Sequence, residues 1–524
     1  MIATASRKPS YGTVALVGVG PGDPELLTVR AAELVARADV VLADVARHGG
    51  ALTGRRADAE YVDVTGTPNA EQAKAIVAHV KAGRSVVAVY GDPLSSTNGT
   101  ALAMALTKAK LPWELVPGVH EVTAVPAYSG VAAFAPGRVV TVVDVDDNEP
   151  DWASIASSET LVIAVSAEQA GKVASQLAAA GRHGDTPVVV TVEGSTASQR
   201  SITTTLDAVQ ADVADLAGRA VLVVGPSVKQ RDKLSWFENR PLFGWRVLVP
   251  RTKEQAGVLS EQLRAYGAVP VEVPTIAVEP PRTPVQMDRA VKGLVSGRYQ
   301  WIAFTSVNAF RAVKEKLEEY GLDARAFAGI KIACVGEQTA AAVREYGIKP
   351  ELVPSGDQSS EGLLAVWPEY DDVLDPIDRV LLPRADIATE TLAAGLHERG
   401  WEVDDVTAYR TVRAAPPAAD IREAIKSGGF DAVLFTSSST VRNLVGIAGK
   451  PHENTVVAVI GPQTELTADE HGLKVAVRAE TPSVSSLVEA LAAYAAEDRA
   501  RALAEGLAPR PTERLARKRA GKKK

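Results

Sequence analysis

Arg251 and Arg384 each follow an apolar run directly, in RVLVPR and RVLLPR, and two FTS triplets follow the runs WIA and AVL. The triplets place Thr305 and Ser306 at one position, and Thr436, Ser437 and the adjoining Ser438 at the other. Two more matched segments, VGEQT and IGPQT, offer Gln338 with Thr339 and Gln463 with Thr464. Guanidinium groups, hydroxyls and the free amides of a helix start suit a carboxylate, because each donates hydrogen bonds and the helix end is partly positive. Taken singly, each Ser or Thr reads more simply as a helix N-cap. Their recurrence in the same order points to an anionic ligand held between two similar lobes.

One residue breaks this symmetry. Tyr409, in TAYRT, has Ile276 at its repeat-equivalent place. A phenol there can hydrogen-bond to a departing hydroxyl and assist its loss. From the residues alone, a tyrosine packed at a connector is an equal reading. Near the other end of the chain, GVGPGDP puts Gly18, Gly20, Pro21 and Gly22 where an apolar strand ends, and a helix-like segment then leads to Asp44. Such a turn belongs either beside a nucleotide-like cofactor or to a tight strand–helix connection. Its spacing is not the Gly-x-Gly-x-x-Gly of dinucleotide folds, which sets NAD aside.

The elements that must carry these residues share one rhythm. Val/Ile/Leu/Ala runs such as SVVAVY, AVLVVG, KIACVG and VVAVIG alternate with Ala/Leu/Glu-rich amphipathic segments. Continuous apolar runs read as strands buried on both faces, and their alternation with helices predicts α/β units built on mainly parallel sheets. In such sheets, ligands gather at the carboxyl ends of the strands. An internal repeat marks the second half of the chain: residues 246–281 echo 379–417, 301–310 echo 432–441, and IACVGEQT echoes VAVIGPQT. Three blocks in one order predict two lobes of one design. The charged segment 229–245 interrupts the rhythm and reads as a linker or short arm, and the basic end, APRPTERLARKRAGKKK, reads as a disordered tail.

Composition bounds the function. The 524 residues are 46% hydrophobic and 23% charged, with a net charge of −7 and one cysteine, Cys334, so no internal disulfide forms. No apolar run reaches the roughly 18 residues of a membrane span. A cytoplasmic protein without membrane or nucleic-acid partners is the expectation.

The second half resembles uroporphyrinogen-III synthase throughout 244–495, through VPR, FTSVNAF, VGEQTA, LLPRA, AYRT, FTSSSTV and IGPQT in order. That resemblance implies two α/β lobes joined by a two-stranded connector, one built from 244–275 and 411–495 and the other inserted between them. It implies closure of the linear tetrapyrrole hydroxymethylbilane, a polycarboxylate, with inversion of ring D and with neither metal nor cofactor. It assigns Tyr409 the catalytic role and Arg251, Thr305, Ser306, Gln338, Thr339, Arg384, Thr436, Ser437, Ser438, Gln463 and Thr464 to substrate binding. Positioning would dominate the chemistry.

Residues 12–232 resemble the tetrapyrrole methylases, above all uroporphyrinogen-III C-methyltransferase, through GVGPGDP, GDP at 91–93, WELVPGVHEVTAVPAYSGV and TPVVVTVEGSTASQRSITTTLDAV. The expected whole is a methylase-like two-lobe α/β unit, a linker at 233–243, the synthase-like two-lobe α/β unit and a tail at 496–524. The resemblance implies S-adenosylmethionine held between the first two lobes by Gly18, Gly20, Pro21, Gly22, Asp44, Gly91, Asp92 and Pro93, and a unit able to dimerise. The chain departs from that family's pattern at three places. LADVAR lacks the tyrosine and basic residue that flank Asp44, YGDP stands for Gly-Gly-Asp-Pro, and AVSAEQ stands for the cofactor-lining Met-Gly. These departures predict weak cofactor binding and reduced or absent methylation. A bilobal tetrapyrrole-binding regulator without catalysis is the alternative from another class.

Overall fold

A computed structural model describes residues 12–44, 54–95, 97–145, 149–251 and 256–521. The chain divides into two compact units, Met1–Trp245 with Leu263–Val269, and Arg246–Gln262 with Pro270–Lys524.

The first unit contains two sheets. Strands β1 (Val14–Gly18), β2 (Val40–Ala43), β3 (Glu60–Asp63), β4 (Val86–Tyr90) and β5 (Trp113–Val116) pair in the order β3-β2-β4-β1-β5. All four pairings are parallel. β1 is buried along its whole length, which is why its sequence is an unbroken apolar run. The second sheet, β6 (Val140–Asp144), β7 (Thr160–Ser166), β8 (Pro187–Val192), β9 (Arg200–Thr205) and β10 (Arg219–Val224), runs β6-β7-β10-β8-β9. Only β6 and β7 pair in parallel; β7–β10, β10–β8 and β8–β9 are antiparallel. This sheet alone departs from the expectation of mainly parallel pairing, which the pairings of the other three sheets bear out. An apolar run reports burial on both faces and says nothing of direction, which the short β8–β9 connection sets here.

In the second unit, β11 (Arg246–Arg251) and β12 (Val269–Pro274) open one sheet, and the chain then leaves it. Strands β13 (Ile276–Glu279), β14 (Trp301–Phe304), β15 (Lys331–Cys334), β16 (Arg379–Ala385) and β17 (Glu402–Arg413) form another, ordered β13-β17-β16-β14-β15. β18 (Ala432–Phe435), β19 (Val456–Val459) and β20 (Val475–Arg478) then complete the first, as β12-β11-β18-β19-β20. One lobe is thus inserted into the other. The crossing is made where β13 runs antiparallel to the end of β17, with the Ala414 amide donating to the Thr275 carbonyl.

Two expectations fail. The segment read as a linker is packed, with Phe237 and Leu242 buried and Tyr128, Trp236 and Phe237 in edge-on ring contact. Glu238 also accepts from Gln199 at 2.9 Å and Ser201 at 2.6 Å. Aromatic rings give this charged stretch enough apolar surface to bury. The tail read as disordered is helical over Val484–Ala504 and Pro511–Gly521. Ala502, Ala508, Pro511 and Leu515 are buried, and Thr512 donates to the fully buried Asp431 from its amide at 2.9 Å and its hydroxyl at 2.7 Å. Apolar residues spaced among the arginines supply a docking face that overall charge conceals. No helix among the described residues is long and apolar enough to cross a membrane.

Candidate functional site

The repeat is visible in how the helices of the second unit begin. Ser306 caps the helix Val307–Glu319, its Oγ accepting the Ala309 amide at 3.1 Å. Ser437 caps Ser438–Ala448 in a reciprocal box with Thr440. Both serines therefore play the plainer role of N-cap, while Thr305 and Thr436 stand half-buried between each strand end and its cap. Gly336 and Gly461 precede the other matched helices and supply no side-chain cap.

Tyr409 sits on β17 beside a register irregularity between Arg384 and Ala385, and is 8% exposed. Its Oη lies 3.0 Å from Ser306 Oγ. Since Ser306 Oγ already accepts from the backbone, its own proton is available to the phenol oxygen, which leaves the phenol proton for another acceptor. The pair joins residues 103 apart in the chain at the carboxyl edge of one sheet.

Other expected ligands are otherwise engaged. Arg384 donates through Nε to Asp405 at 2.6 Å, through Nη2 to the same carboxylate, and through Nη1 to the Thr389 carbonyl at 2.6 Å. It braces its own strand end, because Asp405 lies on the neighbouring strand β17, a partner 21 residues away that spacing cannot reveal. The helix start at VGEQT, expected to offer free amides, is met by Gln358, whose Oε1 accepts the Glu337 amide at 3.1 Å. Thr339 and Thr464 are buried, Gln338 and Gln463 exposed. Ser438 donates to the Gln463 carbonyl at 3.0 Å and accepts from Thr467 at 2.9 Å, which ties two helices together. The side chain of Arg251 lies outside the described residues.

The first unit holds a cleft of about 1350 Å³ whose wall includes Gly20, Pro21, Asp44, Gly91 and Asp92. Gly18, Gly22 and Pro93 are not in that wall. A Cβ on Gly18 would lie 2.1 Å from the Gly118 nitrogen, so this glycine serves the close approach of two backbone segments. Gly20, with φ of +80°, turns the chain where a side chain would be strained. Asp92 accepts from Ser95 at 2.6 Å and from the Gly118 amide at 3.3 Å, and Asp44 accepts from Thr65 at 3.0 Å.

The loop after β8 reaches the cleft wall through Glu193 and Gly194, and carries two left-handed non-glycine residues, Glu193 (φ +50°) and Ser195 (φ +64°). Ser195 Oγ accepts the Asp23 amide at 3.1 Å, and Tyr128 Oη donates to the Asp23 carboxylate at 2.8 Å. Burial, then this carboxylate, raises the Tyr128 phenol well above its usual range. Sequence reasoning missed Arg219, which meets Glu121 and Asp144 across 98 and 75 residues, and no local motif announces that contact.

Residues 257–489 match the family model for uroporphyrinogen-III synthase HemD, and residues 13–210 that for tetrapyrrole (corrin/porphyrin) methylases. Porphyrin biosynthesis protein HemD of Ruminiclostridium josui is 30% identical over 500 residues, covering 92% of this chain and 98% of that protein. Siroheme synthase 2 of Aeromonas hydrophila is 35% identical over 252 residues, 44% of this chain; the chain spans about half of that relative, 52%. Uroporphyrin-III C-methyltransferase of Thermus thermophilus, a solved structure, is 29% identical over 42% of this chain and 99% of that one, with a TM-score of 0.38. Two family matches in the expected order, and one relative aligned across both, leave a single assignment: the chain belongs to the HemD family of porphyrin biosynthesis proteins, a fusion of a tetrapyrrole methylase domain and a HemD-like synthase domain, and is an enzyme of tetrapyrrole biosynthesis.

Proposed function

We propose that the second unit is a uroporphyrinogen-III synthase, closing hydroxymethylbilane with inversion of ring D. The observation that carries this reading is the Tyr409–Ser306 pair at the carboxyl edge of the inserted sheet. The terminal hydroxyl of the substrate leaves as water when its carbon–oxygen bond breaks, with electrons supplied from the adjoining pyrrole and a proton taken from solvent. The Tyr409 phenol, oriented by Ser306, donates a hydrogen bond to that departing oxygen. Ring D then attacks the resulting cationic carbon through the α-carbon that already bears its bridge; that older bridge bond breaks and re-forms at the ring's free α-carbon, which releases a proton, so the ring is inverted. Because the cation forms readily, holding the chain in the folded geometry matters more than proton transfer.

In a Tyr409→Phe chain, formation of the III isomer should slow several-fold, since one hydrogen bond of about 0.5–1.5 kcal/mol is lost and little volume changes. A rate equal to wild type would return Tyr409 to a packing role. Thr305→Ala and Thr436→Ala should each raise the KM for hydroxymethylbilane by about the same factor. An effect from one alone would show that only one lobe holds substrate. The decisive assay is isomer analysis of the product: isomer I alone from folded protein overturns the synthase reading.

For the first unit, we infer a methylase-fold domain whose S-adenosylmethionine affinity is weak. YGDP and AVSAEQ replace contacts that would otherwise pair the cofactor's polar groups, and each unpaired buried group costs about 1–3 kcal/mol. The residues left in the wall, Gly20, Asp44 and Asp92, could still face a cationic cofactor.

A further inference from the structure

Alternation along β17 breaks at Tyr409. Val403 packs against one hydrophobic cluster of the inserted lobe, with Trp301, Leu382 and Trp401. Val406 and Ala408 pack against the cluster on the opposite face, with Phe304, Ile332 and Leu381. Successive strand residues face opposite ways, so strict alternation would put Tyr409 on the side of Val403. It packs instead with Val406 and Ala408. The cause is the register shift: Arg384 pairs with Thr407 but Ala385 pairs with Tyr409, which leaves Ala408 as an extra residue bulging from the ladder. A bulge of this kind re-aims the side chain beside it. Here it carries the Tyr409 ring to the face where Ser306 stands, 3.0 Å from its Oη.

The bulge needs closing, because β16 ends at Ala385, immediately after the shift. In a parallel ladder, a residue donates from its amide to one carbonyl of the neighbouring strand and accepts at its own carbonyl from the amide two residues further on. Asp386 makes both bonds although it lies past the strand end. Its amide donates to the Tyr409 carbonyl at 3.1 Å, and its Oδ1 accepts the Thr411 amide at 3.1 Å. The carboxylate thus stands where a backbone carbonyl would, and the two bonds hold the peptides on either side of Arg410, directly after Tyr409. On the other side of the shift, Arg384 donates to Asp405 at 2.6 Å and to the Thr389 carbonyl at 2.6 Å, which pins the loop carrying Asp386 to β17.

We propose that Asp386 is a positioning residue for Tyr409: its carboxylate closes the bulge in β17 and, through the backbone, fixes the direction of the phenol. The reaction assigned to that phenol rests on the synthase reading, whereas the placement of the ring rests on these bonds alone. An exposed aspartate that holds one amide is commonly a plain strand-end cap. The break in alternation at Tyr409 is what gives this one a further role.

The full chain is labelled with fluorotyrosine, and the fluorine resonance of Tyr409 is identified by its loss in Tyr409→Phe. Asp386→Ala should shift that resonance and lower kcat for the III isomer several-fold. Asp386→Asn, which keeps an acceptor at Oδ1, should restore both to near the wild-type values. The two variants remove the same negative charge, so an effect of that charge on a polycarboxylate would appear in both alike. In a Tyr409→Phe background, Asp386→Ala should change kcat by less than about twofold, because the group it positions is gone. The proposal is overturned if the resonance is unmoved in Asp386→Ala, if Asp386→Asn fails to restore it, or if the two kcat losses multiply in the double variant. A shifted resonance beside a wild-type rate in Tyr409→Phe overturns the catalytic reading of Tyr409 and upholds its placement by Asp386, so the two readings fail separately.

Discussion

A Gly18→Ala chain is expected to lose about 3 kcal/mol or more from the stability of its first unit, at the upper end of overpacking costs. Gly18 ends the inner strand β1, and an added Cβ would fall 2.1 Å from the nitrogen and 2.5 Å from the Cα of Gly118. Both obstacles are backbone. Gly118 cannot withdraw, because its own missing Cβ faces the Gly91 carbonyl oxygen at 2.3 Å. For a unit of this size, about 2–4 °C is lost per kcal/mol, so the calorimetric midpoint should fall by about 6–12 °C. Gly54→Ala is the matched control, since a Cβ there meets nothing within 4 Å. A midpoint unchanged by Gly18→Ala would mean that the Pro117–Gly118 segment moves aside.

Ending the chain at residue 495 should remove about 3–5 kcal/mol from the second unit, comparable to breaking a buried charged pair. Asp431 is fully buried and accepts from three donors: the Arg246 amide at 2.9 Å, the Thr512 amide at 2.9 Å and the Thr512 hydroxyl at 2.7 Å. Burial already pushes its carboxyl upward, and the Thr512 donors are the largest influence opposing that shift. Truncation takes both of them, together with the contact of Leu515 against Gly428 and the Arg519 hydrogen bond to the Ser427 carbonyl. Thr512→Val isolates the hydroxyl and should cost about 1.5–3 kcal/mol, the range for a hydrogen bond to a charged group. Equal melting of the truncated and full chains would show that the helix Pro511–Gly521 is dispensable. Any working fragment of the synthase-like unit should therefore run at least to Gly521.

Much of the candidate site was legible because it is local. The Ser306 and Ser437 caps sit in FTS triplets whose roles follow from strand-then-helix order, and the repeat announced one lobe for each triplet. Gly20 and Asp92, which the methylase resemblance placed at a cofactor, line the cleft of the first unit. Less legible were the groups whose partners lie far along the chain. Arg384, which the synthase resemblance assigns to substrate, meets Asp405 on the neighbouring strand, and Arg219, which no local motif marks, is carried by β10 to Glu121 and Asp144. Gly18 stands against the Gly118 backbone, a neighbour 100 positions along the chain.

The insertion of one lobe in the other came only through the synthase resemblance; the sequence by itself determined the α/β class, the duplicated lobes and the serines that cap two helices. These follow from apolar periodicity and capping, which act over a few residues, and from a repeat that the chain spells out. Only the tertiary structure decided strand direction in the second sheet, the docking of the basic end on Asp431, and which arginines are engaged by their own chain. The last two depend on contacts between residues 21 to 98 positions apart, where a charge meets its partner only after the strands have been ordered. The acidity of the first unit's cleft has the same origin, since its five carboxylates, Asp44, Asp92, Glu121, Asp144 and Glu193, come from a strand, a helix and separate loops that folding brings to one wall.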